Sequence, residues 1–215
     1  GRYRLSGDLF YKRLYNQIEY GGNIFELLNS SYRLQDNLLH GSGQNYGFSL
    51  MFHKCTGDLT GWVSYTYTNA RRKFKELDPE SSFPATHERP HELKAVLMYS
   101  PWKHWDFGAT AVYASGTPFT LPESIALING NILTQYGEYN SNRLRPYFRT
   151  DISVNYKWFS RRVKEHGINL SLYNVFCTDN HLFWKIIVDE GKRFAYRPVS
   201  FIVRILPSIS YYCKF

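Results

Sequence analysis

The chain has 215 residues, enough for one or two domains with a sizeable core. No stretch of about 18 apolar residues occurs, which excludes a transmembrane helix. The net charge of +8 is spread along the chain and no nucleic-acid motif accompanies it. The three cysteines, Cys55, Cys177 and Cys213, are odd in number and far apart, so they supply neither a disulfide framework nor a zinc site. Mean hydropathy is only −0.42. Aromatics nevertheless make up 18% of the chain, led by 18 Tyr and 15 Phe. Tyr and Trp suit positions with one end apolar and the other wet, as at a membrane interface.

The N-terminus, Gly1-Arg2-Tyr3-Arg4, has no signal-peptide pattern. The expectation is that processing removed one or that the chain begins inside a longer protein. A first strand is expected over 2–16, with Tyr3, Leu5, Leu9 and Tyr11 opposite Arg4, Ser6, Asp8 and Lys12. A long loop then runs to about 43. The second strand, 44–55, is the clearest. Tyr46, Phe48, Leu50 and Phe52 share one face, and Asn45, Gly47, Ser49 and His53 share the other. Thr56-Gly57-Asp58 makes a tight turn into a third strand, 59–70, where Leu59, Val63, Tyr65 and Tyr67 oppose Thr60, Ser64, Thr66 and Thr68. Another long loop reaches about 90.

The fourth strand sets Leu93, Ala95, Leu97 and Tyr99 against Glu92 and Lys94. Pro101-Trp102-Lys103-His104 turns into the fifth, which carries Trp105, Phe107, Ala109, Ala111 and Tyr113. The long stretch 117–146 reads as loop, with Asn129-Gly130 as a turn inside it. The sixth strand sets Ile152, Val154, Tyr156 and Trp158 against Arg149, Asp151, Ser153 and Asn155. Ser160 to His166 connect it to the seventh, where Ile168, Leu170 and Leu172 oppose Asn169, Ser171 and Tyr173. A loop over 177–198 has a strand-like flank at Trp184 to Val188. The last strand is expected over 201–215, with Phe201, Val203, Ile205, Ile209, Tyr211 and Phe215 on one face.

Eight two-faced strands joined alternately by long and short connections are the pattern of an antiparallel transmembrane β-barrel. Short turns at 56–58, 101–104 and 160–166 mark the periplasmic end, which places both termini there. Aromatics gather in two bands. Tyr99, Trp102, Trp105, Tyr156, Trp158, Phe159, Tyr211 and Phe215 lie near the short turns. Tyr46, Tyr65, Tyr67, Tyr113, Tyr147 and Phe176 lie near the long loops. Arg71, Arg72 and Lys73 read as solvated residues just beyond a strand, against a sharper reading as contacts to anionic lipid phosphates or an anionic ligand. Arg161, Arg162 and Lys164 read the same way in a turn.

His87-Glu88-Arg89-Pro90-His91 matches H-E-x-x-H by letter. A zinc protease needs both histidines on one helix face. Pro90 breaks that helix, because it has no N–H and crowds the preceding turn. No metal, cofactor, covalent chemistry or catalytic residue is therefore expected. Arg149 and Asp151 share a wet face, where they read as an inward ion pair.

Arg89-Pro90-His91-Glu92-Leu93 opens one strand, and Tyr113-Ala114-Ser115-Gly116-Thr117-Pro118-Phe119 closes the next. Both resemble segments of the TonB-dependent outer-membrane receptor family, the first its RPHDL-type motif. Asn140 to Tyr156, with Arg143 to Ile152 at its centre and Arg149 and Asp151 within it, resembles the family's N-x-x-R-L-P-x-Y-x-R-x-D-L stretch, and Tyr173-Asn174-Val175-Phe176 its Y-N-V-F/Y segment. Glu88 and Glu92 stand where the family has Asp, and Thr150 where it has Leu. These motif residues are expected to be structural. Phe215 resembles the terminal aromatic of outer-membrane barrels.

The resemblance implies that residues 1–215 form a single sector of wall, the last eight strands of a barrel of about 22 strands. The plug domain and earlier strands would be absent. It implies the outer membrane of a Gram-negative cell and import of a scarce bulky nutrient: a ferric siderophore, a corrinoid or a glycan. The implied partners are outer-membrane lipid and lipopolysaccharide, TonB through the missing N-terminal part, the barrel-insertion machinery through Phe215, the imported ligand and a surface lipoprotein. The loops at 17–43, 71–90, 117–146 and 177–198 would bind or cover that ligand. The alternative is a self-closed eight-stranded barrel with a structural, adhesive or lipid-modifying role, whose wet-face charges pair inside.

Overall fold

The computed structural model describes residues 2–20, 38–77, 82–128, 131–161, 163–188, 194–200 and 204–215. The expected Asn129-Gly130 turn and the positions Phe201 and Val203 lie outside these residues. Among the described residues there are fifteen strands: β1 (Tyr3–Tyr20), β2 (Leu38–Lys54), β3 (Leu59–Lys73), β4 (Phe83–Pro84), β5 (His91–Trp102), β6 (Trp105–Ala114), β7 (Pro118–Phe119), β8 (Pro122–Ile128), β9 (Asn131–Tyr136), β10 (Asn142–Arg143), β11 (Tyr147–Trp158), β12 (Glu165–Tyr173), β13 (His181–Val188), β14 (Phe194–Ser200) and β15 (Leu206–Lys214).

Nine of them form one sheet: eight run in the order β1-β2-β3-β5-β6-β11-β12-β15, every neighbour antiparallel, and β4 pairs with the end of β3 off that path. The eight on the path are the two-faced segments of the sequence. Among the described residues no ladder joins β1 to β15, as a self-closed eight-stranded barrel would require.

Alternation and register agree across the whole sheet. Leu59 pairs with Tyr99, Tyr99 with Phe107, Phe107 with Val154, Val154 with Leu170 and Leu170 with Ile209. Leu9, Phe48 and Tyr67 form a similar row at the other edge. One face is therefore apolar on every strand. It is also bare: Leu5, Leu9 and Ile209 are 76%, 87% and 73% exposed. Monomers in water rarely leave such a continuous surface uncovered, whereas lipid covers it at no cost.

The opposite face is polar and internally bonded. Ser49 Oγ meets Thr66 Oγ1 at 3.1 Å, and Ser171 Oγ meets Ser208 Oγ at 2.7 Å. Lys157 Nζ lies 2.7 Å from Asp106, which also accepts from Ser100 and Asn155. Glu165 accepts from Tyr212 and Lys214 at 3.0 and 2.9 Å, and Glu92 pairs with Lys94.

The connections segregate as expected. At one end, Gly57 takes a φ of +99° in the β2–β3 turn, Lys103 and His104 turn β5 into β6, and Ser160 and Val163 bond across the β11–β12 turn. The described residues of the long connections lie at the other end. They are more structured than the sequence suggests. β4 lies within 71–90, four short strands (β7 to β10) lie within 117–146, and the β13–β14 hairpin lies within 177–200.

Other boundaries shift. β1 continues to Tyr20 by a bulge between Leu14 and Gln17, where Asn16 takes a φ of +50°. β2 begins at Leu38 and β3 runs to Lys73. β15 starts at Leu206, so Ile205 precedes it.

One expectation is corrected. Arg71, Arg72 and Lys73 are not loop residues: they are the end of β3, and Arg72 is buried. Tyr147 opens β11 near the long loops, as expected. It shares the inward parity of Arg149, whose Nη1 donates to its hydroxyl at 3.4 Å.

Candidate functional site

Buried side chains concentrate at the long-connection end. Ala70, Phe74, Phe83, Ala85, Ala114 and Leu144 are the buried apolar residues among those described, and Arg72, Glu88, Asn140, Asn174 and Asn180 the buried polar ones. The expected motif residues collect here too, in two clasps.

The first clasp closes β5 on β6 and on the strand that follows. Ser115 Oγ accepts from the His91 amide at 3.1 Å, and the Ser115 amide donates to His91 O at 2.8 Å. His91 Nδ1 lies 2.8 Å from the Tyr65 hydroxyl. Pro90 O accepts from Thr68, which extends the β3–β5 ladder by one bond. Its missing N–H costs nothing at a strand start. A Cβ on Gly116 would stand 1.7 Å from Leu144 O, so only glycine allows that approach. Thr117 O then accepts from Leu144, and Pro118 pairs with Arg143. Arg89 extends over the Tyr147 ring at 5.9 Å.

The second clasp ties β11 to the end of β12. Asp151 accepts from the Asn174 amide at 2.9 Å and from Thr110 Oγ1 at 3.2 Å, and faces Arg149 Nε at 3.2 Å. Arg149 lies over the Tyr173 ring at 4.8 Å. Asn174 takes a φ of +53°, a conformation Asn tolerates better than other L-residues. Its Nδ2 donates to Thr178 O and Arg204 O. Asn180 brackets the Phe148 peptide, accepting at 2.9 Å and donating at 3.0 Å.

A third group was not anticipated. Glu88 is 3% exposed, accepts from the Ala70 amide at 2.9 Å and pairs with Arg143. Arg143 also donates to Gly116 O at 3.2 Å. Asn140, at a φ of +56°, donates to Pro84 O and Thr86 Oγ1. Glu19, at the end of β1, accepts from Thr86 Oγ1 at 3.3 Å and Tyr139 OH at 3.2 Å. Burial pushes the Tyr139 phenol up to about 12, and the Glu19 charge adds to the rise. Phe83 stacks on Phe74 and meets the Tyr139 ring edge-on at 4.8 Å. The first and third groups hold 83–91 and 137–147 against the rim. The only hint in sequence was Glu88 in place of the family's Asp.

Phe215 stands apart from this cluster. It follows β15 at the short-turn end and is 80% exposed. Residues 86–90 are turn and coil rather than helix, and the Glu88 carboxylate is committed to Arg143 and Ala70. At the rim, backbone amides donate to the side chains of Ser115 and Asp151, which ties neighbouring strand ends together, and Asp151 also pairs with Arg149.

An antiparallel wall, apolar without and polar within, with structured loops clasped at one end, defines an outer-membrane β-barrel fold. Two solved structures share it. One is the ferric-catecholate import receptor Fiu from K12 E. coli in a closed form, with TM-score 0.54 and 18% identity. The other is the outer-membrane ferripyoverdine receptor of Pseudomonas aeruginosa bound to ferripyoverdine, with TM-score 0.54 and 12% identity. In both comparisons 98% of this chain is covered, and it spans 25% of the other chain. The fold implied by the motif resemblance is thus the fold observed. No family model and no curated protein matches the sequence.

Proposed function

We propose that this chain is a wall sector of a TonB-dependent importer in the outer membrane of a Gram-negative cell. The observation that carries the reading is the unbroken apolar row from Leu59 to Ile209 backed by a bonded polar face. Such a wall needs lipid on one side and a wet lumen on the other. The clasped rim supports the rest, because it fixes the bases of loops that would bind and cover a ligand. The fold shared with two iron-chelate receptors favours a ferric siderophore over a corrinoid or a glycan. The intact barrel would have about 22 strands, with TonB acting through a part not included in this chain. Lipopolysaccharide around the wall, the insertion machinery at Phe215 and a surface lipoprotein complete the proposed partners.

Uptake tests this. The full-length protein is expressed in a Gram-negative host lacking its own iron-chelate receptors, with and without TonB. Radiolabelled ferric siderophores, a corrinoid and oligosaccharides are supplied in turn. TonB-dependent accumulation of one class is expected. Accumulation of none, or equal accumulation without TonB, would reject the proposal.

A further inference from the structure

Basic side chains of the upper wall face outward together. Arg13 on β1 pairs with Gln44 on β2, and Gln44 with Arg71 on β3. Ser42 and Lys73 form the next row toward the rim. By strand parity these residues share the apolar face with Leu9, Tyr11, Tyr46, Phe48 and Tyr67. Strand spacing puts the backbones at Arg13 and Arg71 about 10 Å apart. With Tyr15 and Ser82 they line one cavity of about 250 Å³. Among the described residues Arg13 has no acidic partner, and Arg71 Nη1 donates to a carbonyl, Ser82 O, at 3.3 Å. Glu19 lies beyond the bulge and is committed to Thr86 and Tyr139.

Directly below, on the same three strands, lies an apolar groove of about 480 Å³. Leu9, Tyr11, Tyr46, Phe48 and Tyr67 line it. We infer that cavity and groove hold one lipid, the cavity binding a phosphate-bearing headgroup and the groove an acyl chain. Guanidinium groups match phosphate oxygens in a two-pronged fork. Arg13 and Arg71 stand one row above the tyrosines, where the headgroup layer meets the chains. A ligand imported through the lumen would meet the other face. The site therefore rests on the barrel-wall reading and is separate from ligand uptake.

The test uses the full-length protein, extracted from outer membranes in mild detergent. Bis-phosphorylated lipid A is titrated and bound lipid is counted by native mass spectrometry. Each cation near a membrane surface contributes about fivefold to binding an anionic lipid, so Arg13→Gln with Arg71→Gln should weaken it roughly thirtyfold. Dephosphorylated lipid A should bind the native protein as weakly, and millimolar inorganic phosphate should not displace the lipid. Equal binding by the double variant, or equal binding of dephosphorylated lipid A, overturns the site. Full displacement by inorganic phosphate also overturns it, in favour of a simple anion site. If the double variant does not assemble, the two lipid A forms on native protein decide alone. Absence of the native protein from the outer-membrane fraction overturns both this site and the importer reading. Presence there with phosphate-independent binding overturns only the site.

Discussion

Asp151 and Asn174 lie 23 residues apart in sequence, and the Asn174 amide donates to Asp151 Oδ1 at 2.9 Å. The bond fixes where β12 ends and the next connection leaves the wall. The same carboxylate faces Arg149 and accepts from Thr110. Asp151→Ala would strand a guanidinium and a buried amide together. The expected loss is about 2 kcal/mol, read as a lower temperature at which the folded, fast-migrating band disappears from a gel. Asp151→Asn keeps one acceptor oxygen and should lose less. Equal melting of Asp151→Ala and native protein would show that the clasp does not hold the rim.

Val154 and Ser153 test the two faces of β11. Val154 stands in the apolar row between Phe107 and Leu170. Ser153 faces the lumen side between Gly108, which has no side chain, and Ser171. A charge at mid-membrane on the lipid face costs roughly 2–4 kcal/mol. Val154→Arg should therefore block assembly in the outer membrane, and Ser153→Arg should assemble normally. Equal heat-modifiable bands from both would mean that the faces are reversed or that neither meets lipid.

Gly116 tests the first clasp. A methyl there would collide with Leu144 O, and backbone yields less easily than a flexible side chain. Gly116→Ala should cost about 1–3 kcal/mol and loosen residues 137–146 from the rim. Limited proteolysis should then cut this stretch faster, with the wall strands unaffected. An unchanged cleavage pattern would mean that Leu144 shifts freely.

The sheet was legible in sequence because its signal repeats. Each strand alternates apolar and polar residues, and the eight alternations agree with one register. The His91 and Ser115 motifs could be placed at strand ends, because one opens β5 and the other follows β6. Glu88, Asn140 and Glu19 were not legible. Their partners are 55, 56 and 120 residues away, for Arg143, Pro84 and Tyr139. No local period records such contacts. The short strands β7 to β10 were also missed, since two to seven residues are too few for a period to emerge.

Tyr139 links the rim to pH. Its phenol sits at about 12 in the folded protein, against 10 for an unburied tyrosine, because burial and then Glu19 disfavour the phenolate. Between those values the unfolded chain has released a proton that the folded one retains. The contribution of this group is therefore complete below pH 10 and is lost as pH rises toward 12. The clasp of residues 137–141 on Glu19 and Thr86 should loosen over that range, and Tyr139→Phe should remove this part of the alkaline loss. Proteolysis of the stretch at pH 9 and pH 11 checks it. Loosening of the phenylalanine variant equal to that of native protein would assign the effect elsewhere.

The two edges of the sheet give the last prediction. Among the described residues β1 is bonded to β2 on one side only, and β15 to β12 on one side only. Each therefore presents a row of unpaired N–H and C=O groups along its outer edge. In lipid each unsatisfied group costs several kcal/mol, and in water such an edge recruits another strand. β1 is 18 residues long, Leu9 on it is 87% exposed, and it has no proline to blunt pairing. The 215-residue chain expressed alone should not yield a monodisperse, heat-modifiable monomer in detergent. It should associate through β1 and β15. Lys or Pro at edge positions of β1 whose N–H points away from β2 should reduce that association without disturbing the β1–β2 ladder. Light scattering coupled to size-exclusion chromatography reads the outcome. A stable monomer in which amides of Leu5 to Tyr11 and of Leu206 to Tyr211 are equally protected from hydrogen exchange would mean that the edges meet. The wall would then be a closed barrel of eight strands.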